Sequence, residues 1–329
     1  MEEETVVTEI PSLRTGLCWL SQADAMDCYA SWPSPACIVS DGAYGIGGFD
    51  GDPSDVGGLE AWYRPHVARW SEASSTATTL WFWNTEIGWA TVHPLLERNG
   101  WKYVRCCVWD KGKSHLAGNI NTRTLRQFPC VTEVCVQYVR DRMPSGQRVQ
   151  DWLRAEWRRS GLPLKDANRA CGTRSAATRK YLSADGAFYP PPEEMMERLR
   201  EFANANGDPS GRPYFAMPEG RFQPKFDCPF GMTNVWRCRQ VFSGERVRDA
   251  EGRPLHPNQK PLQLMEAIVR CCTDPGEAVW EPFGGVFTAS AAAALLGRRA
   301  FGAETCARYY EAGAARIAGL AGKEDGRLF

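Results

Sequence analysis

The sequence predicts an α/β protein whose single sheet is built from both ends of the chain. Two observations predict it. Short apolar runs alternate with helix-like stretches up to residue 141, and the same alternation returns from residue 256. The stretch between them has helical periodicity instead. The chain of 329 residues therefore divides into a first sheet half at 1–141, a mostly helical insertion at 142–255 and a second sheet half at 256–329.

The first sheet half contains four predicted strands. The strand ACIVS at 36–40 ends at Asp41, and a helix at 87–98 is closed by Asn99-Gly100, a common helix C-terminus. The other elements are a helix at 59–73 and strands at 78–83, 102–109 and 132–140. Because open α/β sheets bind ligands beyond the carboxyl ends of their strands, the loop after residue 40 is a candidate site.

The insertion is predicted to contain a helix-turn-helix. A helix from about 149 to 160 precedes 162–183, where Gly172 separates two helix-like segments. Another helix follows at 193–206, and 208–253 is predicted to be irregular. Net charge is zero for the whole chain, but 142–180 holds ten Lys or Arg against three Asp or Glu, a local charge of +7. This excess indicates either a polyanion-binding face or a solvated helical surface.

The second sheet half contains the strongest chemical signal. After a helix at 262–272, a strand at 278–282 runs into EPFGG and a helix at about 288–296. The next strand, 299–304, ends in Glu304, ahead of a final helix through residue 316. Glycines let backbone approach a ligand, and an acidic residue after the next strand can bind ribose hydroxyls. The layout predicts a nucleoside-cofactor site, with an ordinary strand–helix–strand unit as the alternative.

The run SDGAYG at 40–45 is the second chemical signal. A carboxylate at Asp41 can accept a hydrogen bond from an amino group, and the ring of Tyr44 can stack on a base. The alternative is an ordinary turn.

The composition predicts a cytoplasmic protein with reduced thiols. The 13 cysteines are scattered without a C-x-x-C pair, and most are expected in the core. With only four histidines, none near a cysteine pair, no metal site is expected. The acidic N-terminus does not have the form of a signal peptide, and no apolar run approaches the ~20 residues that span a bilayer.

Together the motifs resemble those of the beta-class amino DNA methyltransferases, which methylate adenine N6 or cytosine N4. In that class D/S-P-P-Y comes first, a target-recognition region follows, and D-P-F-x-G-S-G-T comes last. This chain keeps that order over nearly its whole length. The block HPNQKP at 256–261 followed by EPFGG and TASAAAALLGRRAFGAE is specific in combination, and Ala23-Asp24 matches the family's short G-D segment.

The resemblance implies a Rossmann-like class I S-adenosylmethionine-dependent methyltransferase with an inserted target-recognition region. It implies that S-adenosylmethionine lies over the glycine turn, with Glu304 on the ribose and Asp24 near the adenine. The full set of expected cofactor residues is Asp24, Lys260, Glu281, Phe283, Gly284, Gly285 and Glu304.

The resemblance assigns catalysis to Asp41, Gly42, Ala43 and Tyr44. Asp41 and the Gly42 carbonyl would accept the hydrogens of the target amine, localise its lone pair and stabilise the developing positive charge. Tyr44 would stack on the base, which must be flipped out of the duplex. No cysteine nucleophile is needed.

The chain departs from the family pattern at several positions. Both prolines of D-P-P-Y are replaced, which makes the turn less rigid. Glu281 replaces Asp, and Val286-Phe287 replaces Ser-Gly, which reshapes the cofactor pocket. Asp at the first motif position favours adenine over cytosine in this family. We therefore expect an adenine-N6 methyltransferase acting on double-stranded DNA.

Recognition of DNA is expected from the insertion, through Arg174, Arg179 and Lys180 on or beside its second predicted helix. The segment 49–53 is expected to be a mobile loop over the site or a static turn. A homodimer and a cognate restriction endonuclease are further expected possibilities as partners. Alternatives are cytosine-N4 or RNA methylation, a non-catalytic helix-turn-helix regulator and, less favoured, an NAD-dependent dehydrogenase.

Overall fold

A computed structural model describes residues 11–112, 124, 126–184, 188–217, 221–241 and 244–321. Within these ranges nine strands, numbered along the chain, form one sheet in the order β1-β2-β9-β8-β3-β4-β6-β5-β7. The strands are β1 (Ser12–Thr15), β2 (Cys18–Ser21), β3 (Cys37–Ser40), β4 (Thr79–Asn84), β5 (Trp101–Asp110), β6 (Thr132–Arg140), β7 (Val235–Arg237), β8 (Ala278–Glu281) and β9 (Arg299–Ala303). The helices are α1 (Ala25–Cys28), α2 (Leu59–Ala73), α3 (Glu86–Arg98), α4 (Val149–Arg159), α5 (Asp166–Ala170), α6 (Glu193–Asn206), α7 (Leu262–Cys272), α8 (Thr288–Leu295) and α9 (Ala307–Ala321).

The centre of the sheet is parallel and covered on both faces. Strands β2, β9, β8, β3 and β4 run parallel to one another, and β6 lies antiparallel between β4 and β5. Side chains alternate between two apolar clusters, so that Val39 and Trp81 pack on one face and Ile38 and Phe82 on the other. This burial explains why β3 and β4 are continuous apolar runs rather than alternating ones.

The predicted α/β elements are all present, and their ends agree within one residue except for the last helix, which ends at Ala321 rather than at residue 316. The structure adds β1, β2, α1 and β7, which the sequence analysis did not identify. These elements have three or four residues each. Strands this short are held by their neighbours, β2 by β9 and β7 by β5, and carry too few side chains to show a periodicity.

The helical insertion has an apolar core of its own, formed by residues between Met143 and Phe222. Helices α4 and α6 match their predictions. The expected helix-turn-helix is reduced, because α5 has five residues and the expected second helix is a five-residue π-helical turn at Ala177–Tyr181. Gly172 makes the turn between them with a φ of +63°.

The insertion leaves the sheet at the edge opposite the carboxyl ends of β3 and β8. Because β6 is antiparallel to β4, its last residue, Arg140, lies beside the start of β4, and its N–H donates to the Thr78 carbonyl at 3.2 Å. The insertion then packs on that same edge, where Lys102 lies 5.5 Å from the Phe188 ring centre.

Eight of the cysteines are buried, as expected for small core side chains, and all 13 are free thiols. Among the helices of the described ranges, none is long and apolar enough to cross a membrane.

Candidate active site

The loops at the carboxyl ends of the parallel strands enclose a cleft of about 700 Å³. Strand β3 pairs in parallel with β8, with Ile38 opposite Trp280, so the two predicted motifs emerge side by side. The cleft is lined by nine of the predicted site residues: Asp24, Asp41, Gly42, Lys260, Glu281, Phe283, Gly284, Gly285 and Glu304. A larger cleft of about 970 Å³ lies at the opposite edge of the sheet and is lined by none of them, so cavity size alone does not identify the site.

Asp41 belongs to a buried network of charged and hydroxyl groups. The Lys260 ammonium donates to both of its carboxylate oxygens at 2.8 Å. The Tyr44 hydroxyl donates to Asp41 at 2.8 Å and lies 3.2 Å from Lys260 Nζ. On the other side Lys260 lies 3.3 Å from Glu133, which is also paired with Lys111. Two carboxylates and two ammonium groups thus balance one another next to the cleft.

The charges of this network stabilise each other's ionised forms. Burial by itself would lower the pKa of the Lys260 ammonium, whose side chain is 3 % exposed, but Asp41 and Glu133 outweigh burial and raise it. Burial favours a higher pKa for Glu133, and Lys260 and Lys111 reverse this and lower it. Burial, followed by the Asp41 and Glu133 carboxylates, raises the pKa of Tyr44 well above its ordinary value. Tyr44 therefore remains a hydroxyl donor over the ordinary pH range.

The turn after Asp41 is fixed from the core rather than by proline. The Ala43 carbonyl accepts hydrogen bonds from Tyr63 at 3.0 Å and Asn84 at 2.8 Å. A Cβ at Gly42 would lie 2.7 Å from the Phe283 ring, a distance that real side chains do not reach. Gly42 therefore lets Phe283 pack directly against the turn that follows Asp41.

The loop that follows is organised by Asp52. Its two carboxylate oxygens accept hydrogen bonds from four backbone N–H groups, those of Tyr44, Gly45, Ile46 and Gly48, at 2.8 to 3.2 Å. This set of bonds specifies a defined loop conformation beside the cleft, where the sequence left a mobile loop or a static turn open.

Glu304 and Glu281, the two acidic residues that the second sheet half places in the cleft, have different environments. Glu304 accepts from the Gly285 N–H at 2.7 Å and from the Cys306 N–H at 2.8 Å, so it ties the end of β9 to the glycine turn. Glu281 accepts from the Ala289 and Ser290 N–H groups at the start of α8. Burial raises the pKa of Glu281 to about 7 although these donors and Arg316 oppose the rise.

Phe287 accounts for the unusual sequence after the glycine turn. It is fully buried and adopts a left-handed backbone conformation with φ of 55°. A Cβ at Gly284, Gly302 or Gly313 would lie within 2.8 Å of its ring. The ring thus occupies a space that three glycines leave between the turn, β9 and α9, and it replaces the flexible residue expected at this position.

The cleft has features that suit a nucleoside cofactor. The floor of the cleft is formed by the glycine turn and Phe283. The centre of the Phe283 ring lies 4.9 Å from that of the His66 ring and 5.1 Å from that of the Trp62 ring. His256 lines the same cleft, and its buried Nδ1 has no hydrogen-bond partner within the described residues. Burial lowers the pKa of His256 to about 4, so the ring is neutral at ordinary pH.

The sequence analysis missed four residues of this site: Glu133, Lys111, Asp52 and His256. Glu133 could have been suspected as a lone acid inside the apolar strand TEVCVQYVR, and His256 is part of HPNQKP. Lys260, expected at the cofactor, lines the cleft and contacts the Asp41 carboxylate. Arg174, Arg179 and Lys180 are exposed on the insertion, and their contact with DNA stays a prediction.

A family model described as DNA methylase matches residues 36–315 of the chain. The type II methyltransferase M.HinfI of Haemophilus influenzae is 32% identical over 84 residues, which are 26% of this chain and 23% of that protein. The DNA adenine methyltransferase YhdJ of Escherichia coli K12 is 39% identical over 62 residues, 19% of this chain and 21% of that protein. The aligned stretches thus span less than a quarter of these curated relatives.

A solved structure of the cytosine-N4-specific PvuII DNA methyltransferase superposes with a TM-score of 0.58 at 10% identity. The superposition covers 94% of this chain and 93% of that chain. It confirms the predicted class I methyltransferase fold.

Proposed function

The chain belongs to the N6/N4 DNA methylase family, and on this premise we propose that it methylates adenine N6 in double-stranded DNA. S-adenosylmethionine, which the family uses, supplies an electrophilic methyl group. The observation that carries the proposal is the single cleft that Asp41 shares with the glycine turn and Glu304. A carboxylate beside a nucleoside-cofactor site suits methylation of an exocyclic amine, because it can accept an amine hydrogen and stabilise the cation that develops.

We assign the cofactor to the glycine-turn side of the cleft. Glu304 would hold the ribose hydroxyls, and the backbone of Gly284 and Gly285 permits close approach. Asp24 lines the same cleft and caps α1 by accepting from the Met26 N–H at 2.8 Å. We assign it to the adenine end of the cofactor, as the family resemblance implies.

Asp41 acts on the target amine. The lone pair of an exocyclic amine is delocalised into the base, so the amine is a weak nucleophile. An Asp41 oxygen and the Gly42 carbonyl accept its two hydrogens, localise the lone pair and stabilise the cation that forms. Lys260 already contacts both Asp41 oxygens, and Glu133 offers its ammonium a second carboxylate. One Asp41 oxygen can therefore turn to the base without leaving a buried ammonium unpaired.

The base has to leave the duplex to reach Asp41. Tyr44 is not among the residues that line the cleft, and its hydroxyl contacts Asp41 and Lys260. We retain its ring as the stacking surface for the flipped base.

Adenine is preferred over cytosine because the first motif residue is Asp, and the adenine methyltransferase YhdJ is among the relatives. Cytosine N4 carries the same exocyclic amine and is the second candidate. The test is to incubate the protein with cofactor and genomic DNA, digest the DNA to nucleosides and identify the methylated one by mass spectrometry. N6-methyladenine supports the proposal, N4-methylcytosine selects the second candidate, and binding of DNA without any methylated nucleoside contradicts both.

A homodimer and a cognate restriction endonuclease remain predictions. The alternative function is that of a non-catalytic regulator that binds DNA through a helix-turn-helix. The two helical pieces of that segment have only five residues each, which makes this alternative less favourable. Calorimetric binding of S-adenosylmethionine separates it from an enzyme.

A further inference from the structure

We propose that Arg237, Arg239 and Arg248, in segment 237–248, contact the DNA phosphates nearest the target base. This assignment rests on the proposed function and goes beyond it, because the sequence analysis assigned DNA binding to Arg174, Arg179 and Lys180 in the helical part of the insertion. The chemistry required of the partner is a duplex backbone with closely spaced negative charges.

The first argument is the course of the segment along the catalytic edge. It begins at the carboxyl end of β7, where the Trp109 indole donates to the Cys238 carbonyl at 2.6 Å. It continues to Val247, whose N–H donates to Gln259 at 2.9 Å, and Gln259 lines the cleft. It then reaches α9, where Arg308 pairs with Asp249 at 2.9 Å. The described residues on either side of 242–243 therefore lie along the sheet edge at which Asp41 is presented.

The second argument is the state of its charges. Arg237, Arg239 and Arg248 are exposed, and the first two side chains make no ion pair or hydrogen bond within the described residues. Arg248 reaches only the Gly252 carbonyl. In contrast, Arg253 of the same stretch is neutralised by Asp249 at 3.0 Å. Among the residues that the structure describes, none pairs a carboxylate with these three guanidinium groups, and guanidinium groups bind phosphate oxygens strongly.

The third argument is the distance between the catalytic edge and the surface of the insertion on which DNA binding was predicted. The insertion that carries Arg174, Arg179 and Lys180 joins the sheet beside Thr78, before β4 begins. The six residues of β4 separate that edge from the catalytic edge, about 20 Å at the usual rise per residue. A flipped base must reach Asp41, so the nearest phosphates meet the catalytic edge first.

The experiment compares two triple variants of equal charge in the full-length protein. One is R237Q/R239Q/R248Q, and the other is R174Q/R179Q/K180Q. The dissociation constant for a short random-sequence DNA duplex is measured by fluorescence anisotropy as a function of salt. Each lost phosphate contact lowers the slope of log affinity against log salt by about 0.9. We expect the first triple to flatten the slope by about two to three and to raise KM for DNA, with the affinity for S-adenosylmethionine unchanged.

An unchanged slope in the first triple, or equal flattening by both, would overturn the assignment. Thermal unfolding of each triple checks the fold, and the single variant R237Q, which removes one exposed side chain, should show about a third of the effect. The proposed function fails separately, through absence of methyl transfer by the wild-type protein. In that case the slope of log affinity for DNA against log salt can still be measured for each variant.

Discussion

The Lys260 ammonium lies 2.8 Å from each carboxylate oxygen of Asp41, although 219 positions separate the two residues in the chain. This contact joins the HPNQKP block to the SDGAYG run. It also means that the Asp41 carboxylate, which is expected to accept a hydrogen of the target amine, already contacts the buried Lys260 ammonium. A buried pair of this kind is sensitive to loss of either partner. The first predictions therefore concern Asp41 and its direct neighbours.

Asp41→Asn should abolish most methyl transfer while cofactor and DNA binding persist. Asparagine keeps the shape and one acceptor oxygen but loses the negative charge, and that charge matters most when the amine becomes cationic. We expect the single-turnover rate to fall on the order of a hundredfold or more, as on removal of one preorganised electrostatic group. The measurement uses labelled cofactor and an oligonucleotide with the recognised site.

Calorimetry with S-adenosylmethionine provides the control for Asp41→Asn, because loss of cofactor binding would indicate a damaged cleft. A near wild-type rate in this variant would mean that the resemblance to D-P-P-Y is accidental.

Tyr44→Phe should lower the rate by about tenfold, the equivalent of one hydrogen bond to a charged group. Stacking alone needs only the ring and would predict a mild effect. In the structure, however, the hydroxyl donates to Asp41 at 2.8 Å and contacts Lys260, so its loss alters the catalytic carboxylate. Tyr44→Ala should in addition raise KM for DNA, since it removes the stacking surface. Equal rates for wild type and Tyr44→Phe would restrict the role of Tyr44 to stacking.

Gly42→Pro restores one residue of the family motif and should nevertheless reduce activity. A Cβ at this position would meet the Phe283 ring at 2.7 Å and the Tyr63 hydroxyl at 2.9 Å. Overpacking of this kind costs about 1–3 kcal/mol. We expect a lower free energy of unfolding in urea and weaker cofactor binding, with Gly42→Ala showing the same direction. If Gly42→Pro matches or exceeds wild-type activity, Phe283 can move and the turn is not fixed by it.

The sequence predicted the fold through local patterns that survive in the structure. The apolar run before Asp41 is a buried parallel strand, and EPFGG with Glu304 bracket the cofactor side of one cleft. What local patterns could not predict is pairing across the chain. Lys260 with Asp41, and Glu133 with Lys111, depend on which strands become neighbours. The position of the insertion depends on the antiparallel direction of β6, which no single-strand pattern encodes.

Glu304→Ala should weaken S-adenosylmethionine binding by about 1–3 kcal/mol, the cost of losing hydrogen bonds to a charged group. The carboxylate also holds the Gly285 and Cys306 N–H groups, so part of the loss comes from a looser glycine turn. Glu304→Gln separates the two effects, because it can keep one backbone bond without the charge. Calorimetry measures all three proteins. Unchanged affinity in Glu304→Ala would contradict the assignment to the ribose.

Glu281 should make the protein less stable as pH rises from about 4.5 to about 7. Burial raises its pKa from 4.5 to about 7 in the folded protein, whereas the unfolded chain has the ordinary value. Below pH 4.5 both states are protonated and the difference vanishes. Between the two pKa values the unfolded chain is ionised and the folded protein keeps the proton, so stability falls with rising pH. The difference corresponds to about 3 kcal/mol at neutral pH and above.

The measurement for Glu281 is the free energy of unfolding in urea at several pH values, for wild type and Glu281→Gln. Glutamine resembles the protonated acid at every pH and can still reach the Ala289 and Ser290 N–H groups at the start of α8. The variant should therefore gain stability relative to wild type as pH rises through this window, with little difference at pH 4. A constant difference between wild type and Glu281→Gln across the range would show that the Glu281 carboxyl ionises in the folded protein as readily as in the unfolded chain.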